Sequence, residues 1–177
     1  MYIYGGGWNE DDTGAGIEAM TLGIDPKWVE FTQKQDSSYN FKDYDYKQNK
    51  AYIHLGLDCS GYIGWLLYNI FQDKGYVDFS RKIAHNLATE NKGKVKKSKH
   101  ITEYKAGDIM SGENVSHVWL SLGQCNDGSV VILHSSPSGV HISGTHTPKG
   151  IENSQALKLA NKYMDKYYPV WNKNIPL

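Results

Sequence analysis

Apolar side chains recur at spacings of three and four residues between Leu57 and Phe71, and this period predicts a helix. The apolar positions cover much of the helix circumference, so we expect the helix to be buried. Asp58 is placed to cap its first turn, while Lys74 and Gly75 are expected to close it. The rest of the chain is expected to be organised around this helix.

A second amphipathic pattern predicts a C-terminal helix from Ser154 to about Tyr167, with lysines on its outward face and Pro169 ending it. An Asp-Pro pair at residues 25–26 predicts the start of another helix, which reaches about Gln35. Both helices carry an apolar stripe and should pack against a core.

The segments between these helices carry weaker patterns. Shorter helices are predicted within residues 14–22 and 81–89. Residues 36–52 interleave aromatic side chains with Lys, Asp and Asn without a regular period, which predicts an irregular surface loop that either lines a cleft or simply packs on the domain. The lysine run at 92–99 is typical of a solvated loop, or of a contact with phosphates or anionic wall polymers.

Two stretches with alternating side chains, 116–123 and 129–136, flank the turn sequence Asn-Asp-Gly at 126–128, which predicts a β-hairpin. If His117 lies opposite His134, the register is consistent along both strands and the two imidazole rings are side by side on one face. A shift of one residue would break this arrangement. The other face then carries Val118, Leu120, Leu122, Val131 and Leu133.

Strand patterns also occur within residues 104–110 and 140–142, so helices and an antiparallel sheet are both expected. The predicted fold class is therefore α+β. At 177 residues, the chain suits a single domain over residues 1–177 and is long enough to bury a substantial core.

Composition narrows the classes of partner. Nineteen basic and nineteen acidic side chains cancel, so no global field favours nucleic acid or an anionic membrane. No apolar run approaches the ~20 residues of a membrane span, and no signal peptide is visible at the start of the chain. The two cysteines, Cys59 and Cys125, form no CxxC pair, so neither a disulfide framework nor a structural zinc site is predicted, while a single bridge between them stays open.

Cys59 stands at the start of the predicted buried helix, where free N–H groups and the helix dipole favour a thiolate. Together with His117 and His134 it makes a candidate Cys-His-His set, in which one imidazole takes the thiol proton and the other orients the first. The alternative is that Cys59 is a small core residue, since free cysteines are often buried. Spacing alone does not decide between these interpretations.

Five sequence blocks, in order, closely resemble the successive blocks of the NlpC family of papain-like cell-wall cysteine peptidases. The resemblance spans most of the chain between residue 2 and about residue 144. The blocks are Tyr2-Ile-Tyr-Gly-Gly, Leu57-Asp-Cys-Ser-Gly-Tyr, Gly107-Asp108, Ser116-His-Val and Leu133-His-Ser-Ser-Pro-Ser-Gly-Val.

The resemblance implies a papain-like α+β fold, with the nucleophile-bearing helix packed on an antiparallel sheet. It implies hydrolysis of an amide bond in peptidoglycan stem peptides or muropeptides, commonly between γ-D-glutamate and a diamino acid, through a thioester and without a metal or other cofactor. Carried over by position, Cys59 is the nucleophile, His117 the base and His134 its orienting partner. Candidate substrate contacts are Tyr2, Asp58 and Ser60, although Asp58 also suits a plain helix cap and Ser60 a plain first-turn residue.

The chain departs from the family pattern in the long segment at residues 9–56, here called the insertion, which separates the first two blocks where the family has a short link. We expect it to form a wall or lid over the cleft. The family resemblance implies action outside the cytoplasm, at the cell wall. Two alternatives remain: an amidase or acyltransferase on the same fold, and a non-catalytic wall-binding or partner-binding module. The oligomeric state is not determined by the sequence.

Overall fold

The computed structural model describes residues 2–7, 17–73, 102–111 and 117–174. These residues contain three α-helices: α1 (Pro26–Gln33), α2 (Cys59–Phe71) and α3 (Gln155–Asn174). They also contain three short 3-10 helices, at Ile17–Met20, Phe41–Tyr44 and Lys50–Leu55. The helix predicted within 81–89 and the lysine run at 92–99 lie outside the described part of the chain. The predicted end of the central helix at residues 74–75 is wrong, because α2 already ends at Phe71.

Four antiparallel strands form one sheet in the order β1-β2-β3-β4. The strands are β1 (Ile109–Ser111), β2 (Val118–Gln124), β3 (Val130–Ser136) and β4 (Gly139–Gly144). Helices combined with an antiparallel sheet make the fold α+β, as predicted. No helix in the described ranges combines the length and apolar character needed to cross a bilayer.

The register of the β2–β3 hairpin differs by two residues from the predicted one. Leu120 pairs with Leu133, whereas the prediction placed its partner two positions earlier in β3. Side chains alternate between faces with a period of two, so a shift of two leaves the β2 side chains up to Ser121 on their expected faces. His117 and His134 therefore share a face, but continuing the register puts Trp119 opposite His134.

Two features of the hairpin produce this shift. The loop is tighter than predicted, since Gln124 already pairs with Val130, and this alone moves the register by about three residues. A β-bulge between Ser121 and Gly123 then reverses about one residue of the shift. The extra residue, Leu122, is 41% exposed, so its predicted place on the apolar face was wrong.

Helix α2 packs against β2 and β3 and lies in the centre of the described core. Asp58 caps it at the start, and Gln72 ends it in a left-handed conformation with φ of 53°. The tryptophan rings of Trp28 in α1 and Trp65 in α2 meet edge to face at 6.2 Å. The core cluster consists of Ala19, Trp28, Leu57, Cys59, Tyr62, Ile63, Val118 and Leu120.

The predicted ends of the two outer helices need correction. Helix α1 ends at Gln33, two residues before the predicted end. Helix α3 continues through Pro169 to Asn174, because a proline removes one backbone hydrogen bond while the later turns keep theirs. Its first turn is fixed by Asp127, whose carboxylate accepts the Gln155 N–H at 2.8 Å.

Residues 36–52 of the insertion are built from short capped turns, which explains why this part of its sequence shows no period. Asn40 and Asn49 cap its 3-10 helices by accepting backbone N–H bonds from the residues two positions later. These 3-10 helices are too short to produce a repeating apolar stripe. Aromatic rings fill the space between them, with contacts among Phe31, Tyr39, Tyr44 and Tyr52 at 4.9–6.3 Å between centroids.

Candidate active site

The start of α2 forms a tight, buried turn around Asp58. Its Oδ1 accepts the Gly61 N–H at 2.7 Å and the Ser60 hydroxyl at 2.9 Å, and the residue is 3% exposed. The first of these hydrogen bonds satisfies one of the backbone N–H donors that every helix start leaves free. Asp58 and Ser60 thus hold the backbone on both sides of Cys59, and the cap role expected for Asp58 is present.

The N-terminal segment (Tyr2–Gly7) lies directly against this turn. The Ile3 N–H donates to the Leu57 carbonyl at 3.3 Å, and the Asp58 N–H donates to the Gly6 carbonyl at 3.1 Å. Backbone hydrogen bonds therefore join the N-terminal segment to the start of α2. This explains how Tyr2 comes to lie beside the cysteine although 56 positions separate them in the sequence.

The Cys59 thiol is buried, with 8% of the residue exposed. Burial, followed by the Asp58 carboxylate, raises the pKa of Cys59 to about 11. The backbone N–H groups of Val118 and Ser60 act in the opposite direction but do not compensate. The expectation that the helix start would favour a thiolate is therefore not met in the free protein, because desolvation outweighs the N–H groups.

Asp58 itself is strongly affected by its surroundings. Burial raises the pKa of this carboxyl to about 7, against the hydrogen bonds from Gly61 and Ser60, which stabilise its charged form. A proton on Asp58 would remove the negative charge beside Cys59. The protonation states of these two neighbours are thus linked.

The two predicted histidines form a hydrogen-bonded pair. His117 Nε2 and His134 Nδ1 are 2.9 Å apart, and the rings are nearly perpendicular at 83°. Burial lowers the pKa of His117, and burial, His117 and His141 together lower that of His134 to about 4. Both imidazoles are therefore neutral near pH 7, and one proton lies between them.

The structure brings the thiol to the peptide next to the histidine pair. The backbone N–H of Val118, the residue after His117, faces the Cys59 sulfur. Within the described residues, no hydrogen bond joins this sulfur to either imidazole ring. Catalytic hydrogen bonds are often long before substrate binds, so this arrangement is compatible with a thiol–imidazole contact formed in the complex.

Tyr2 lies close to the cysteine and is shielded from solvent. Burial raises the pKa of its hydroxyl well above the usual range, and the charges of Asp58 and Cys59 add to the effect. Its ring meets Phe41 of the insertion edge to face at 5.7 Å. Its backbone carbonyl accepts the Tyr39 hydroxyl at 2.5 Å. The insertion therefore contacts the site through Tyr2.

Two residues near the site were not predicted from the sequence as part of it. His141 in β4 pairs directly with His134, and the alternation of Val140 and Ile142 could have indicated it. Tyr46 lies over Gly5, where a Cβ would come 2.5 Å from the tyrosine Cδ1. No local pattern signals that contact, because it joins the insertion to the N-terminal segment.

In the described ranges, no group of three or more His, Cys, Asp or Glu side chains is arranged to hold a metal ion. No protein-family model, no curated protein and no solved structure matches this chain.

Proposed function

We propose that the protein is a papain-like cysteine peptidase that hydrolyses an amide bond in peptidoglycan stem peptides, the γ-D-glutamyl to diamino acid bond, at the cell wall. The observation that carries the proposal is the His117–His134 pair at the peptide that faces the Cys59 sulfur. The resemblance of the five sequence blocks to the NlpC family supports the substrate class.

The thiol and both imidazoles are neutral before the reaction, and this determines its first step. The Cys59 thiol has a pKa of about 11 and both imidazoles are neutral, so the resting site holds no thiolate–imidazolium pair at pH 7. In the proposed reaction, His117 Nδ1 accepts the thiol proton as the sulfur attacks the substrate carbonyl. His117 Nε2–H donates to His134 Nδ1 and so keeps the base oriented.

The remaining steps follow from acyl transfer. The carbonyl oxygen becomes an oxyanion, which backbone N–H groups at the start of α2 stabilise. The protonated His117 gives its proton to the leaving amine, and a thioester forms on Cys59. The neutral His117 then takes a proton from water, whose oxygen attacks the thioester carbonyl. The C–S bond breaks and His117 returns this proton to the Cys59 sulfur, so the thiol is restored and the carboxylic acid is released, which ionises to the carboxylate near pH 7.

Three residues around the nucleophile are proposed to contact the bound peptide. Tyr2, Asp58 and Ser60 all lie within the buried turn or on the segment bonded to it. The described part of the insertion contacts Tyr2, so we propose that it supports this wall of the cleft.

Substitution of the nucleophile tests the proposal. Cys59→Ala should abolish turnover of purified muropeptides while circular dichroism and the unfolding midpoint show a folded protein. Cys125→Ser is the matched control, because it removes the other free cysteine and should keep full activity. Mass spectrometry should show addition of one water to the substrate and a new amine; turnover by Cys59→Ala would refute the proposal. Transfer of the acyl group to another amine would identify the acyltransferase alternative.

The burial of Cys59 favours one second candidate, a non-catalytic module that binds cell-wall fragments. A thiol with 8% exposure and a pKa of about 11 is typical of a structural cysteine. In that case wild type and Cys59→Ala should bind muropeptides equally by calorimetry, and neither should change their mass.

A further inference from the structure

A third histidine continues the row formed by the imidazole pair. His141 lies directly opposite His134 in the β3–β4 ladder, and the ring centroids are 5.8 Å apart. His134 therefore has an imidazole on each side, His117 in hydrogen-bond contact and His141 in ring contact.

The turn between β3 and β4 fixes the orientation of His141. Its Nε2 lies 3.0 Å from the Ser138 hydroxyl, which in turn lies 3.0 Å from the hydroxyl of Ser136. Gly139 follows with φ of 110°, a conformation that glycine adopts without steric strain. Because its ring is hydrogen-bonded to this tight turn, His141 keeps a fixed orientation relative to His134.

The hydrogen bond between His117 and His134 sets a condition on the state of His134. For His117 to accept a proton at Nδ1, its Nε2 must carry the hydrogen of the bond. His134 must then offer a lone pair at Nδ1 and carry its own proton on Nε2. A doubly protonated His134 would place two N–H groups against each other, so His134 must be neutral.

We propose that His141 is a positioning residue that orients His134 and keeps it a neutral hydrogen-bond acceptor for His117. The inference rests on the proposed role of the imidazole pair as the base. His141 acts by packing against the His134 ring, and by its positive charge when it is protonated, which opposes a second proton on His134.

The pKa shifts of His134 and His141, and the titratable groups near His141, are consistent with this role. Burial, then His117 and His141, lower the pKa of His134, whereas the pKa of His141 is lowered by burial. On the β3 side, His134 is the titratable group that faces His141. Helix α3 also packs against β4, and its titratable side chains in the described part are Lys158, Lys162, Tyr163 and Asp165.

The test follows the His134 ring by NMR titration, which does not depend on turnover. His141→Thr introduces a β-branched residue, which suits a strand, and His141→Gln keeps a polar side chain near Ser138. Both should raise the pKa of His134 by about half a unit or more. His146→Thr, which removes an exposed histidine five positions away, should leave it unchanged. A His134 pKa that moves no further in the His141 variants than in His146→Thr overturns the inference.

The pH–rate profile gives a second readout. His117 and His134 titrate as a coupled pair that must be neutral to act as a base, so a higher His134 pKa should move the acid limb of kcat/KM on muropeptides to higher pH. A limb that stays in place overturns the role in positioning. If wild type shows no turnover, the peptidase proposal fails, and the NMR titration alone then decides whether His141 controls the state of His134.

Discussion

Gly6 and Gly61 meet backbone against backbone. A Cβ built on Gly61 would lie 2.2 Å from the Gly6 carbonyl oxygen, and one built on Gly6 would lie 2.4 Å from the Gly56 carbonyl oxygen. A side chain at position 61 would clash with the Gly6 backbone and one at position 6 with the Gly56 backbone, so the close packing requires glycine at both positions. The N-terminal segment can therefore approach the first turn of α2 closely enough to bond to Leu57 and Asp58.

This contact predicts the effect of Gly61→Ala on stability. In a free helix the change would stabilise by about 1 kcal/mol, because alanine has the higher helix propensity. Here the clash with a backbone carbonyl should dominate and lower the free energy of unfolding by about 1–3 kcal/mol. Urea unfolding measures the difference. A variant as stable as wild type would show that the two segments are not in contact.

The sequence predicts the elements better than their exact pairing. The apolar period finds α2, and the alternation at residues 116–136 finds the hairpin, because each signal lies within one segment. The register is missed by two residues because the turn length and the bulge at Leu122 depend on backbone geometry. The histidines still meet, since an even shift conserves the face.

The chemistry of the thiol could not be read from sequence. A cysteine at a helix start predicts a stabilised thiolate, but the sequence does not show how much of its surface Val118, Leu120 and Tyr62 would cover. That burial, together with the carboxyl of Asp58, controls its pKa. The contact of the insertion with the site could not be predicted from the sequence either, because the hydrogen bond from Tyr39 to Tyr2 joins two distant segments.

Alkylation of Cys59 should report its raised pKa. In a Cys125→Ser background, the rate with iodoacetamide should rise about tenfold per pH unit between pH 7 and about 10. Asp58→Asn removes the neighbouring charge while its amide oxygen still caps the helix, so the rate at pH 8.5 should increase several-fold. Asp36→Asn, at an exposed turn of the insertion, is the control and should change nothing. Equal rates in all three proteins would contradict the electrostatic link.

The raised pKa of Asp58 also predicts a pH-dependent stability. The folded pKa is about 7 against 3.8 for the ordinary carboxyl, so the folded protein binds the extra proton between these values. The stability of wild type relative to Asp58→Asn should be highest below pH 4 and fall as the pH rises through 7, by up to about 4 kcal/mol. Urea unfolding at several pH values measures this.

Asp127 should affect stability with the opposite pH dependence to Asp58. Hydrogen bonds from the Gln155 backbone and the Ser129 hydroxyl lower the pKa of Asp127. Asp127 should therefore stabilise the folded protein above the ordinary carboxyl pKa, and this stabilisation should be lost as the pH falls. If Asp58→Asn and Asp127→Asn show the same pH trend relative to wild type, the burial of Asp58 is not the cause.

Tyr39→Phe tests whether the insertion supports the site. The change removes the hydrogen bond to the Tyr2 carbonyl, and the lost bond should cost about 0.5–1.5 kcal/mol of stability. If Tyr39 holds the Tyr2 wall in place, kcat/KM on muropeptides should also fall. Tyr44→Phe is the matched control, because it removes a hydroxyl bond to Gln35 within the insertion. It should lower stability similarly and leave kcat/KM unchanged, so equal losses of activity in both variants would show that the insertion acts only through general stability.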